Sequence, residues 1–178
     1  MKSTAKKPYT EDASGGKAGR IQEALEIVKL PENGLVDFWV HGTRDASLGQ
    51  SNPQMFAPSQ LVRVIRAGLP VKELEDLQAS LGVPMEKLAA RLGISKATLH
   101  RRKASGKLDA SESDRVVRFA RLMGKAVEVM ESEENARRWL TAPQFGLGGE
   151  VPLNYAETEA GAREVEDLLG RIEYGVYS

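Results

Sequence analysis

The side chains whose types and spacing indicate a chemical role are a cluster of cations and hydroxyls between residues 85 and 107. This stretch carries seven basic side chains and one acidic one, a net charge of +6. Lysine and arginine at this density attract a polyanion, because they neutralise phosphates. The side chains that we expect to contact nucleic acid are Ser95, Lys96, Thr98, His100, Arg101, Arg102, Lys103 and Lys107.

The residues that must position this cluster have the spacing of a helix-turn-helix. The inner face of a first helix is formed by Leu88, Ala89 and Leu92. Gly93 follows, and glycine can take the left-handed conformation that such a turn requires. Leu99 comes six residues later and is placed to pin the second helix against the first.

The second helix is predicted over residues 95–104, with Ser95 as its N-cap. At about 15 Å it suits a major groove about 12 Å wide. Lys96 lies at the end that approaches base edges, whereas Arg101 is placed to reach phosphates or a guanine. Arg102 follows Leu99 by three residues, a position where an apolar side chain often packs. From spacing alone, a solvated basic hairpin inside an ordinary helical bundle remains an open alternative.

The net charge of zero conceals a division of the chain into parts with different partners. We expect a flexible basic tail at 1–20, an N-terminal extension of unknown role at 21–56, a helix-turn-helix domain at 57–122 and a second domain at 123–178. The last part carries five basic and eleven acidic side chains, a net charge of −6. Nucleic acid repels such a segment, so its expected partner is a protein.

The predicted fold class is mostly α, with a helix-turn-helix domain followed by a small α-helical C-terminal domain. Apolar residues recur at helical spacing from Pro58 onward. Before that point, a short helix is expected from Ile21 and a loop over 41–54, while LVDFWV (35–40) is compatible with either a strand or a helical turn.

Four local signals predict where the later helices begin. Pro84 is expected to be the first residue of the first helix-turn-helix helix, where its missing N–H costs nothing. Ser111 and Asp114 have capping-box spacing before a long helix. Ser132 and Thr158 are expected to start two further helices.

The composition argues against an enzyme. The chain has no cysteine and two histidines, so we expect no disulfide, thiolate nucleophile, metal site or cofactor. His41, Asp45 and Ser47 share one polar loop and do not make a preorganised triad. Residues 146–149 are glycine-rich but are followed by no Gly-Lys-Ser/Thr, so a turn is expected there. No run approaches about 18 apolar residues, and we expect a cytoplasmic protein.

The C-terminal third has a recognisable motif pattern. Trp139-Leu140, Pro143, Leu147-Gly148-Gly149 and Pro152-Leu153 occur in that order, followed by the lone Gly161 and the terminal RIEYGVYS. Together with LGISKATLHRR and the ESDR of 112–115, they resemble the Xre/MbcA/ParS family, the antitoxins paired with RES-domain toxins. The likeness covers about 57–178. It departs from the family where a PLDLL-like run reads PLNYA at 152–156.

The resemblance implies a two-module regulator, with an Xre/Cro-like helix-turn-helix domain and an α-helical C-terminal toxin-binding domain. It implies that the protein forms homodimers, binds a RES-domain toxin that consumes NAD and represses its own operon through operator DNA. It also implies that the C-terminal end covers the entrance to the toxin's active site. The residues that would do so are Arg171, Glu173, Tyr174, Gly175, Val176, Tyr177 and Ser178. From the residues alone, Tyr174 and Tyr177 could instead seal the final helix against the core.

These observations predict a type II antitoxin that neutralises its toxin by direct binding and occlusion. A stand-alone helix-turn-helix repressor with a C-terminal dimerisation domain is the alternative of a different class. An adjacent gene for a RES-domain protein would separate the two.

Overall fold

The computed structural model describes residues 34–41 and 58–176. The predicted basic tail at 1–20, the helix expected from Ile21 and nearly all of the loop at 41–54 lie outside these residues. Within them, the regular secondary structure is helical, apart from one isolated bridge between Pro70 and Lys107. The prediction of a mostly α fold is therefore confirmed.

The helices follow one another with short connections. Their bounds are α1 Leu35–His41, α2 Pro58–Ala67, α3 Val71–Leu81, α4 Met85–Arg91, α5 Lys96–Ser105, α6 Ala110–Met130, α7 Glu133–Thr141, a 3-10 turn Phe145–Leu147, α8 Pro152–Tyr155 and α9 Glu159–Glu173. The long helix α6 is central, since α1, α2, α3, α7 and α9 all pack against it. None of the described helices is long and apolar enough to cross a membrane.

The segment LVDFWV, for which the sequence left strand and helix open, forms the short helix α1. Its first turn is held by a distant carboxylate: the backbone N–H groups of Leu35 and Val36 donate to the two oxygens of Glu73, at 3.0 and 2.9 Å. Glu73 is only 4% exposed, and this pair of bonds satisfies its buried charge. A side chain in α3 thus supplies the cap that α1 does not carry in its own sequence.

Close contact between α1 and α6 depends on Gly124. A Cβ at this position would collide with the carbonyl oxygen of Trp39. The absence of a side chain lets the two backbones approach, and the apolar residues Leu35, Val36 and Val40 are then fully buried. Part of the N-terminal extension is therefore built into the core of the protein.

The start of α6 differs from its prediction. The capping box is formed by Asp109, whose side chain accepts from the Glu112 N–H, and by Glu112, which accepts from the Asp109 N–H. The predicted pair Ser111 and Asp114 is wrong. Asp109 and Glu112 have the same three-residue spacing, so the helix begins at Ala110, one residue before Ser111.

Most of the other boundary signals hold. Ser132 and Thr158 cap α7 and α9 as predicted. Pro84 is the N-cap of α4, one residue before the predicted position. Gly161 lies in the first turn of α9, where a Cβ would collide with the carbonyl oxygen of Tyr155. This explains why a glycine occurs at the junction of α8 and α9.

Candidate functional site

The predicted helix-turn-helix is formed by α4 and α5. Gly93 has φ of 66°, the left-handed conformation expected for the turn between them. Its N–H donates to the Ala90 carbonyl at 2.9 Å, and the N–H of Ile94 donates to the Ala89 carbonyl at 2.8 Å. The predicted anchor Leu99 is buried, as are the apolar residues on the inner face of α4. The turn therefore fixes the angle at which α5 leaves α4.

The N-terminus of α5 is capped by Ser95, as predicted. Its hydroxyl oxygen accepts from the backbone N–H of Thr98 at 3.1 Å and donates to the Thr98 Oγ1 at 3.0 Å. Ser95 and Thr98, both predicted to contact DNA, thus stabilise the N-terminal end of α5. Because both are at least partly accessible, they remain available at its surface.

Four of the predicted contact side chains, those of Lys96, His100, Arg101 and Lys103, project from α5 into solvent. Among the residues that the structure describes, the three cations of this group form no ion pair. Their charge is therefore directed outward along one helix. This is the arrangement that attracts and aligns a phosphate backbone.

Arg102 differs from its neighbours because it is already paired within the chain, and its role as a phosphate contact stays a prediction. Its Nε donates to Glu112 at 2.6 Å and its Nη2 donates to Asp109 at 2.8 Å, while only 20% of the side chain is exposed. The hydrogen bond with Glu112 is the main cause that raises the pKa of Arg102 above its usual value. The guanidinium thus ties the end of α5 to the capping box of α6, in the inward position that its spacing from Leu99 indicated.

Lys107 is also less available than predicted. The side chain is half-buried, and burial lowers its pKa. The chain here pairs with the segment before α3, since the Val71 N–H donates to the Gly106 carbonyl at 3.0 Å. Lys107 therefore lies beyond the C-terminal end of α5, next to the segment that precedes α3.

Two arginines fix the helix-turn-helix to the rest of the protein. Arg115 of α6 donates from Nη1 to the Leu92 carbonyl at 2.6 Å, which supports the turn from behind. Arg91 of α4 donates from Nε to the Asn154 side-chain oxygen at 2.9 Å. The second bond joins the first helix of the motif directly to α8 in the C-terminal part of the chain.

The C-terminal part exposes large apolar side chains. Within the described ranges, the large hydrophobic residues with the greatest exposure are Phe145 at 100%, Tyr174 at 79% and Val176 at 54%. Tyr155 is exposed to a lesser degree. All four residues lie within the C-terminal part of the chain, which makes this part the candidate interaction surface.

The predicted partner-binding residues at the end of the chain are arranged as follows. Tyr174 does not seal α9 against the core, because most of its side chain is in solvent. Glu173 forms an ion pair with Lys125 of α6 at 2.7 Å, and Arg171 is half-buried with its carbonyl accepting from the Val176 N–H. Gly175 has φ of 67° and turns the chain away from the helix axis. Tyr177 and Ser178 lie outside the described residues.

Comparison with known proteins identifies both parts of this arrangement. Residues 60–121 match the family model described as the antitoxin Xre-like helix-turn-helix domain, and residues 125–175 match the antitoxin Xre/MbcA/ParS C-terminal toxin-binding domain. A curated protein named Antitoxin Xre from Yersinia enterocolitica is 36% identical over 120 residues, which cover 66% of this chain and 81% of the relative. The chain belongs to the Xre antitoxin family.

Two further relatives of this antitoxin extend the comparison. Antitoxin Xre of Photorhabdus laumondii is 34% identical over 117 residues, covering 65% of this chain and 79% of the relative. A protein of Sphingobium sp. named Prs ADP-ribosylating antitoxin is 26% identical over 132 residues, covering 68% and 83%. The resemblance inferred from the sequence motifs is therefore confirmed.

Sequence reasoning missed one residue of the candidate toxin-binding surface of this antitoxin. Phe145, the most exposed large side chain in the described ranges, belongs to the toxin-binding domain but was absent from the predicted set. The signal was present in the sequence, because a phenylalanine stands in a glycine-rich turn where no apolar periodicity requires it.

Proposed function

We propose that this antitoxin neutralises a RES-domain toxin that consumes NAD, by binding the toxin directly and covering the entrance to its active site with the C-terminal end. The observation that carries this proposal is the match of residues 125–175 to a toxin-binding domain. In this proposal the chain acts by binding and carries out no reaction of its own.

The chemistry at the end of the chain supports occlusion. Beyond α9, the side chains of Tyr174 and Val176 are free to enter a cavity, and tyrosine offers contact area at low cost in conformational entropy. The net charge of −6 over residues 123–178 complements a pocket that must attract an anionic dinucleotide. One relative is named for ADP-ribosylation, a reaction whose donor is NAD, and this supports a toxin that acts on the same compound.

The proposal extends to DNA. We infer that the antitoxin binds operator DNA of its own operon as a homodimer, with α5 in the major groove and Lys96 near base edges. The outward charge of Lys96, Arg101 and Lys103 supports this role. A dimer of this type predicts half-sites about 34 Å apart along the duplex. The division at residues 122 and 123 into a DNA-binding and a toxin-binding part is likewise a proposal, and both parts share α6.

The test of toxin neutralisation is coexpression with a RES-domain toxin, followed by purification and measurement of NAD consumption. We expect a complex without NAD consumption for the full chain. Removal of residues 174–178 should leave complex formation detectable but restore NAD consumption, whereas removal of residues 1–20 should change neither. Full neutralisation by the variant without residues 174–178 would exclude occlusion.

The test of DNA binding is a shift assay with the upstream region of the operon at several salt concentrations. The double variant Lys96→Ala/Arg101→Ala should weaken binding and reduce the slope of log affinity against log salt by about two units. The control Lys72→Ala/Arg163→Ala removes the same charge from exposed positions outside the motif. Equal affinity for the two double variants would contradict the assignment of α5 as the DNA reader.

A further inference from the structure

Phe145 is held in place by a well-ordered turn although nothing in the described chain covers its side chain. The side-chain amide of Gln144 donates to the carbonyl oxygens of Trp139 and Ala142, at 2.8 and 3.1 Å. The N–H of Gly148 donates to the Phe145 carbonyl at 3.0 Å, which closes the 3-10 turn. The backbone of Phe145 therefore has little freedom to turn the ring inward.

The same turn buries its other large apolar side chain, so the exposure of Phe145 is specific to that position. Leu147, two residues later, is only 7% exposed. Gly146 lies against Leu168 of α9, where a Cβ would come within 2.6 Å of the leucine Cδ1. The turn is thus clamped on α9 by its neighbours, and Phe145 alone points outward. The backbone that carries this exposed phenylalanine is already ordered, so a partner that binds the ring has no backbone entropy to remove.

We infer that Phe145 is a second anchor for the toxin, inserting into an apolar pocket on the toxin outside its active-site entrance. This inference rests on the proposed function. The partner is assigned because Phe145 lies within the matched toxin-binding domain, residues 125–175. Leu168, which contacts the turn, precedes Tyr174 by six residues, or about 9 Å along a helix. The inference requires that one interface of ordinary size, burying about 800 Å² on each partner, includes both features.

Phe145 and the C-terminal end have different functions in this inference. The end of the chain blocks the cavity, whereas Phe145 contributes affinity and selects the toxin that offers a matching pocket. Removal of the ring is expected to weaken binding by about 30-fold or more, the effect of a residue at the centre of an interface. The neutralising effect at saturating antitoxin should persist, because the blocking segment is still present.

The experiment measures the affinity of full-length Phe145→Ala for a catalytically inactive variant of the RES-domain toxin used in the neutralisation test, by titration calorimetry. The matched control is Val62→Ala, which shortens another exposed apolar side chain, 44% exposed, outside the matched toxin-binding domain. We expect the control to bind as the unmodified chain does. Thermal unfolding of Phe145→Ala should match that of the unmodified chain, because the ring makes no buried contact.

Three results would overturn the inference. Equal toxin affinity for Phe145→Ala and Val62→Ala would remove the anchor while leaving the proposed function intact. A change in the mass of the free antitoxin, with toxin affinity unchanged, would assign Phe145 to contact between copies of this chain. Failure of the unmodified chain to bind the toxin would reject the proposed function, and the anchor with it.

Discussion

The close contact between α1 and α6 can be tested by adding one methyl group at Gly124. In the interior of α6, helix propensity alone favours alanine over glycine by about 1 kcal/mol. Gly124 is buried, however, and the added Cβ would collide with the backbone carbonyl oxygen of Trp39. A backbone atom cannot rotate aside as the tip of a flexible side chain can. The substitution Gly124→Ala must therefore displace α1 from α6 or bend α6.

The size of this effect follows from what α1 contributes. Overpacking of a closely packed interior costs about 1–3 kcal/mol. Displacement of α1 adds partial exposure of Leu35, Val36 and Val40, and it stretches the two hydrogen bonds to Glu73. After subtraction of the gain in helix propensity, we expect Gly124→Ala to lower the free energy of unfolding by about 2 kcal/mol.

The assay is urea unfolding followed by far-ultraviolet circular dichroism, with Gly170→Ala as the matched control. Gly170 lies in α9, and a Cβ there would meet no heavy atom within 4 Å. Its replacement should raise the free energy of unfolding by up to about 1 kcal/mol. Hydrogen exchange should also become faster in α1 of Gly124→Ala. If both alanine variants are equally stable, the close contact between α1 and α6 is refuted.

Three further substitutions test individual contacts. Glu73→Gln removes the charge that caps α1 and should lower the free energy of unfolding by about 2 kcal/mol, measured by urea unfolding. Arg102→Ala leaves the buried Glu112 without its cation and should lower the free energy of unfolding by about 2–3 kcal/mol. The salt dependence of DNA binding should not change, because this guanidinium is already paired with two carboxylates, and a reduced slope in the shift assay would contradict this expectation. Gly161→Ala brings a Cβ against the Tyr155 carbonyl and should lower the melting temperature, whereas an unchanged melting temperature would show that the junction can yield.

The helices and several caps could be predicted because their signals are local. Ser95, Ser132 and Thr158 each cap the helix that follows them, through a bond to an N–H three residues later. The start of α6 was missed although its signal is also local, because Asp109 and Glu112 have the same capping-box spacing as the predicted pair, two residues earlier. The conformation of α1 depends on Glu73, 38 residues beyond Leu35, and no local pattern reports such a contact.

The candidate surfaces were predictable to different degrees. A run of exposed cations after a capped turn identifies the outward face of α5, so Lys96 and Arg101 required only helical periodicity. The environment of Arg102 could not be predicted from periodicity, because it depends on ion pairs with two carboxylates, Asp109 and Glu112. Phe145 required knowledge that its turn is clamped to α9 while its ring is left uncovered. In both cases the decisive fact is a tertiary contact, which spacing along the chain does not encode.

The long helix α6 determines how the two candidate surfaces can influence each other. Eleven of its residues are buried, and it continues without interruption from the helix-turn-helix into the toxin-binding part. Arg115 near its start supports the turn of the motif, and Lys125 near its end pairs with Glu173. The bond between Arg91 and Asn154 closes a second path between the same two parts. Rotation of one part against the other would break these contacts together, so any effect of bound toxin on DNA binding is expected to arise from bulk, charge or dimer geometry.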